Sequence, residues 1–170
     1  MRKFINVFGW LFLIALIIIQ FFRPEKNIHP GEQPNSISKK FAVSADVKTI
    51  LDKACMDCHS NNTRYPWYNN IQPVAWWLNN HVKDGKRELN FDEYINRRPR
   101  FQYRRMEQTI ELVKEKEMPL DSYTWIHKDA ILTDVEKTKL YDWAKSVMTA
   151  LEAEYPIDSL KRQGPPPPSK

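Results

Sequence analysis

From Phe4 to Phe22 the chain reads FINVFGWLFLIALIIIQFF, 19 residues without a charge and without a polar stripe. As a helix rising about 1.5 Å per residue this run spans about 28 Å, near the thickness of a bilayer's hydrocarbon core, and so predicts a transmembrane helix. Arg2 and Lys3 precede it, which by the positive-inside rule sends the rest of the chain away from the cytoplasm; Arg23 and Lys26 on the other flank weaken that bias. The run ends in IIIQFFRPEK with no small-residue cleavage site, so residues 1–23 read as an uncleaved signal anchor. Residues 24–43, polar, with three prolines and no period, read as a linker.

Beyond the linker the apolar positions recur at helical spacing. Ser44 is a helix cap, after which Val47, Ile50, Leu51 and Ala54 share a face. Pro66 and Pro73 break the chain before a short helix from about Val74 to Lys83, with Gly85 as its stop. Asn90 and Glu93 resemble a capping box, cut short by Pro99, and a helix follows from about Arg100 to Lys116, ending at the loop EKEMPLDSY. Thr133 and Glu136 form a second capping box ahead of Val135, Leu140, Trp143, Ala144, Val147, Met148 and Leu151, a stripe that continues to about Glu154. No segment alternates with period two. The expectation is an all-α domain over 44–154, followed by a disordered, proline-rich tail over 155–170 that contains GPPPPSK.

The net charge of +5 changes this picture little once the charges are located. Between Phe41 and Ala153 there are 17 Lys/Arg and 17 Asp/Glu, so the surplus lies in the two ends. A balanced domain lacks the basic face that nucleic-acid binding needs, and no nucleic acid is expected as a partner.

The candidate chemistry is in ACMDCH. Cys55 and Cys58 are the chain's two cysteines, and His59 follows at once. This is the C-x-x-C-H spacing of covalent c-type haem attachment. One helical turn brings two sulfurs within reach of the two vinyl groups on one porphyrin edge, and the next residue supplies an imidazole to the iron. A structural zinc site needs four ligands and finds no second C-x-x-C here. A thioredoxin-type pair expects a strand before the motif, where this chain has an amphipathic helix.

The blocks CMDCHSNNTRYPWY, IQPVAWWLNNHVKDGKRELNFDEY, KEMPLDSYTWIH and LTDVEKTKLYDWA resemble, in that order, a family of small bacterial haem-binding domains with a C-x-x-C-H motif, related to class I c-type cytochromes. The resemblance covers about residues 44–150. It implies a cytochrome c-like helical fold, one covalent haem c, and electron transfer or haem binding. It also implies a methionine as sixth iron ligand in a loop ahead of the C-terminal helix, the position that Met118 matches.

On the residues alone, the candidates for that sixth position are Met106, Met118, Met148, His29, His81 and His127. Met106 and Met148 lie in helical patterns where packing accounts for them. His29 lies in the linker. Met118 lies between helices, on a stretch free to arch over a ring, and is the first choice; His81 is the alternative. The aromatic side chains Tyr65, Trp67, Tyr68 and Trp77 are candidates for the pocket wall. Arg97, Arg98, Arg100, Arg104 and Arg105 cluster within nine residues; the choices are a solvated face, a docking patch for an acidic redox partner or anionic lipid, and pairing of one arginine with a haem propionate.

The combined expectation is a single-pass protein of the inner membrane whose haem domain faces the periplasm and passes single electrons between redox protein partners. Its alternative is a gas or redox sensor with a displaceable sixth ligand. No enzyme activity is expected, because neither a second haem motif nor an assignable distal acid or base is present.

Overall fold

The computed structural model describes residues 2–161, with side chains from Val7 onward. Among these residues the chain forms eight α-helices and no strand: α1 (Arg2–Ile19), α2 (Ala45–Ala54), α3 (Met56–His59), α4 (Val74–Glu88), α5 (Pro99–Lys114), α6 (Asp121–Thr124), α7 (Asp134–Glu154) and α8 (Ile157–Leu160). The all-α expectation holds.

The core grows from the apolar stripe of α7. Leu140, Trp143, Ala144, Val147 and Leu151 are buried along one face, and they meet Tyr103, Met106 and Val113 of α5 and Val47, Ile50 and Leu51 of α2. Burying a side chain of this size contributes roughly 2 kcal/mol, so these three helices set the frame. The starts of α2 and α7 are specified locally. The Ser44 hydroxyl accepts from the Val47 amide at 3.3 Å, and Thr133 and Glu136 form the reciprocal capping box. Polar ends of buried rings are satisfied: the Trp143 indole donates to the Ala42 carbonyl at 3.0 Å and the Tyr94 hydroxyl to the Gln102 carbonyl at 2.7 Å. Met106 lies wholly within this core, and Met148 is packed against it.

The structure corrects the membrane assignment. No helix among the described residues is long and apolar enough to cross a membrane. Helix α1 stops at Ile19, so Gln20, Phe21 and Phe22 of the uncharged run are outside it. The uncharged helical part, Phe4–Ile19, spans about 24 Å, short of the roughly 30 Å hydrocarbon core. The chain then turns and is held by polar bonds to the domain. The Gln72 amide donates to Gln20 Oε1 at 2.9 Å, and the Phe22 carbonyl accepts from Gln72 Nε2 at 2.7 Å and the Trp76 indole at 2.9 Å. The expected transmembrane helix over 1–23, the single-pass inner-membrane location and the periplasmic orientation derived from it are therefore withdrawn. The apolar side chains of α1, among them Phe8, Trp10 and Phe12, are exposed.

Two boundaries also differ from expectation. The stretch 24–43 is a strap laid against the domain: Asn27 donates to the Ser60 carbonyl and the Thr63 hydroxyl, both at 2.9 Å, and Ile37 and Phe41 are buried in the core. Downstream, α8 packs on α5 and buries Leu160. The remainder of the expected tail, 162–170, lies outside the described residues.

Leu160→Ala should lower stability by about 2–4 kcal/mol, the usual result of emptying a buried leucine site. Denaturant unfolding measures it. An unchanged midpoint would return 155–161 to the tail.

Candidate functional site

The site is built where α2 ends. Cys55 leaves helical geometry at φ −130°, and the chain restarts as the single turn α3, in which the amides of Cys58 and His59 donate to the Cys55 carbonyl at 3.2 and 3.0 Å. Two thiols and one imidazole thereby share one turn. Asp57, buried between them, locks that turn. Its Oδ1 accepts from the Arg64 amide at 3.1 Å and from Arg64 Nε at 3.0 Å, and its Oδ2 accepts from the Tyr123 hydroxyl at 2.7 Å. Burial first, and then the Asp57 contact, push the Tyr123 hydroxyl pKa upward.

Helix α4 crosses this turn at Gly85, which is no helix stop: α4 continues to Glu88. A Cβ at position 85 would stand 2.7 Å from the Cys58 carbonyl oxygen and 3.0 Å from Cys58 Cβ. The glycine is there for close approach, at a cost in helix propensity of about 1 kcal/mol.

His59 is clamped by the residues that leave α4. Its Nδ1 lies 2.8 Å from the Leu89 carbonyl, and since a carbonyl only accepts, Nδ1 carries the proton and Nε2 presents its lone pair. The His59 carbonyl in turn accepts from the Phe91 amide at 2.8 Å. Burial lowers the imidazole pKa, opposed by its bonds to backbone carbonyls, with the Arg105 charge lowering it further. Burial pushes the Cys55 thiol up to about 12, with Cys58 adding to the shift, and the Cys58 thiol up to about 11, with Asp57 adding. Both sulfurs are protonated thiols at neutral pH.

Two cavities adjoin His59. The first, of about 320 Å³, is lined by Cys55, Cys58, His59, His81, Met118 and Tyr123 among others. The second, of about 250 Å³, shares Cys55, His59 and Met118 with the first and adds Leu89, Phe91, Arg105 and Leu132. Cys55, Cys58, His59 and Met118 are thus brought to the wall of the first cavity, whose lining is mostly apolar. That donor set suits a haem, and a buried cation on the second cavity, Arg105, suits its carboxylates. Among the described residues no group of three or more His, Cys, Asp or Glu side chains is arranged to hold a bare metal ion.

The sequence candidates for the second axial position separate cleanly. Met118 lines both cavities and His81 the first only. His127 lines neither; its Nε2 is 3.0 Å from the Tyr68 hydroxyl and its ring stacks on Tyr123 at 4.3 Å. His29 sits on the strap, its amide bonded to Asn61, and Met106 and Met148 belong to the core.

Met118 is placed by the end of α5. The amides of Lys116 and Glu117 donate to the Val113 and Leu112 carbonyls at 3.3 and 2.9 Å, with Lys116 at φ 62°. This is a Schellman cap with lysine at the left-handed position that glycine favours. It reverses the chain so that Met118 returns toward the cavities.

The four aromatic candidates divide between the strap and a third cavity that Cys58 also lines. None of Tyr65, Trp67, Tyr68 and Trp77 lines either cavity at His59. Tyr65 accepts from the Asn27 amide at 2.8 Å and so fastens the strap. Trp67, Tyr68 and Trp77 instead line a third, wider cavity of about 740 Å³ with Trp125, and it meets the first at Cys58, His81, Leu120 and Tyr123. Sequence reasoning missed Asp57, the Leu89 carbonyl and the close approach made at Gly85. Of the arginine cluster, only Arg105 reaches the site; Arg97, Arg98, Arg100 and Arg104 are exposed.

Gly85→Ala sets propensity against space: the alanine methyl gains helix propensity but meets the Cys58 backbone. The expected result is a net loss of about 1–3 kcal/mol in unfolding free energy; a gain would mean that α4 stands off from α3. Lys116→Gly should stabilise by about 1 kcal/mol in the same measurement, by relieving the left-handed lysine.

Searches of curated proteins and of solved structures find no match to this chain. A family model described as a haem-binding domain matches residues 14–146. That span includes every residue of both cavities, and the chain belongs to the haem-binding domain family.

Proposed function

We propose that this chain is a monohaem c-type cytochrome that carries single electrons between redox protein partners. Cys55 and Cys58 would hold haem c through thioethers, and His59 and Met118 would supply its iron ligands. The observation that carries the reading is the His59 imidazole, fixed through Nδ1 by Leu89 with Nε2 free, on the wall of the same cavity as Cys55, Cys58 and Met118.

Each residue has a defined task. Cys55 and Cys58 would be the residues that hold the group covalently, through thioethers to its two vinyl substituents. Leu89 holds the imidazole orientation and raises its basicity as an iron ligand. Met118 brings a soft thioether, which favours the ferrous state relative to a second histidine. Leu112, Val113, Phe91 and Leu132 exclude water. When bound, the haem supplies a one-electron change between ferric and ferrous iron. The exposed Arg97, Arg98 and Arg104 give acidic partners a basic patch that steers brief encounters. The reading assigns the chain no catalytic turnover.

The second reading, a haem domain that senses a gas or a redox state by exchanging its sixth ligand, is favoured by one observation: His81 and Met118 both line the first cavity. Two candidate donors on one wall allow exchange between them.

Expressed with a c-type maturation system, the protein should keep its haem through acid–acetone extraction, and Cys55→Ser with Cys58→Ser should lose it. Met118→Ala should abolish the long-wavelength ferric methionine–iron band and open the iron to carbon monoxide, with His81→Ala leaving both unchanged. The band's persistence in Met118→Ala would sink that ligand assignment. Rapid carbon monoxide binding by the unaltered protein would favour the sensor.

A further inference from the structure

The third cavity, of about 740 Å³, is wider than either cavity at His59, and none of Cys55, His59 and Met118 lines it. Its walls come from three segments. Trp67 and Tyr68 stand on the single turn Trp67–Asn70, Trp77 and Leu78 on α4, and Trp125 and Ile126 directly after α6. Two of these walls are tied to each other: the Tyr68 hydroxyl lies 3.0 Å from Nε2 of His127, the neighbour of Ile126, and the His127 ring stacks on Tyr123 of α6 at 4.3 Å. The third is stiffened by the Trp77 ring packed on His81 at 4.4 Å. A hollow braced in this way exists before any ligand enters it, which keeps the ordering cost of binding small. No Lys, Arg, Asp or Glu lines it, so a charged ligand would lose its hydration there without a countercharge. Trp67 and Trp125 are nevertheless 76% and 70% exposed, and large apolar rings gathered on one concave surface mark a binding site.

From this we propose that the third cavity binds an uncharged, flat aromatic molecule of two or more fused rings. The size of the ligand follows from the volume: a cavity of about 150 Å³ takes one benzene, and this one is several times larger. Its flatness and aromatic character follow from the wall, because indole and phenol rings favour an aromatic partner beyond what the buried area alone provides. Its neutrality follows from the absence of any carboxylate, ammonium or guanidinium on that wall. The inference goes beyond the haem reading, and requires of it only that the group held at His59 leave this cavity open. The two spaces meet at Cys58, His81, Leu120 and Tyr123, so the ligand would sit beside the haem site and outside it.

Calorimetric titration of the haem-loaded full chain with 2-naphthol tests this. One molecule should bind saturably. Decahydro-2-naphthol, with the same carbon skeleton and hydroxyl but no aromatic face, should bind about two- to tenfold more weakly, the usual contribution of an aromatic pair. Trp67→Leu and Trp125→Leu leave an apolar side chain at an exposed position, and each should weaken 2-naphthol binding by a similar factor while the haem absorption spectrum stays as it is. Trp10→Leu, on α1 and outside the cavity, should leave the affinity unchanged. Absence of saturable binding, equal affinity for the saturated analogue, or unaltered affinity in both Trp67→Leu and Trp125→Leu overturns the inference, as does an equal loss in Trp10→Leu. Binding by the haem-free chain that disappears on haem loading also overturns it, since the haem would then fill the third cavity. The haem reading fails separately, through extractable haem in the unaltered protein, and the 2-naphthol titrations still decide what the third cavity binds.

Discussion

The bond from His59 Nδ1 to the Leu89 carbonyl organises the site, because it sets which imidazole nitrogen is free and where it stands. For Leu89 to offer its carbonyl, α4 has to end one residue earlier; it does, with Leu89 extended at ψ 126° and its amide closing the last helical bond onto the Gly85 carbonyl. For α4 to end close enough, it has to cross α3 at contact distance, and that is possible only without a side chain at Gly85. One glycine thus serves twice, as the contact point and as the last acceptor of the helix that delivers Leu89. The return bond from the Phe91 amide to the His59 carbonyl makes the clamp two-sided.

The opposite side of α3 is held electrostatically. Asp57 is a buried carboxylate, and charges are kept there only when paired and hydrogen-bonded. Arg64 supplies the countercharge and Tyr123 a neutral donor. Hydrogen bonds to charged groups contribute about 1.5–3 kcal/mol each, comparable with burying a leucine, so this network has weight equal to part of the core. Tyr123 belongs to α6 and stacks on His127, which reaches Tyr68. The segments after α3 and after α5 are tied together through it, although no covalent or apolar pattern announces the connection.

The legible parts of the sequence were those governed by short-range rules. The stripe and capping box of α7, the Ser44 cap and the C-x-x-C-H turn each depend on residues within one or two turns, and each appears where expected. The misreadings have a common physical source in contacts between segments distant along the chain. Gly85 looks like a helix stop in sequence, since nothing local records that Cys58 lies against it. Residues 24–43 look like a linker, because a strap that bonds through backbone and amide groups shows no apolar period. The aromatic run after the motif suggested a pocket wall. Tyr65 serves the strap, while Trp67 and Tyr68 line the wide cavity that Cys58 also lines. The apolar N-terminal run exceeded the helix it forms by its last three residues, which a count of uncharged positions cannot detect.

The same contrast between local and distant constraint bears on the second axial position. His81 is fixed on α4, its Nδ1 bonded to the Trp77 carbonyl at 2.9 Å and its ring against Trp77, and α4 is pinned to α3 at Gly85. A side chain so held stands only where the helix already puts it. Met118 stands on a loop reversed by the Schellman cap, with a flexible thioether side chain that adapts to irregular space, and it lines both cavities where His81 lines one. Under the haem-binding reading proposed above, the more adaptable of the two side chains would reach the bound group with less rearrangement of the frame that holds His59.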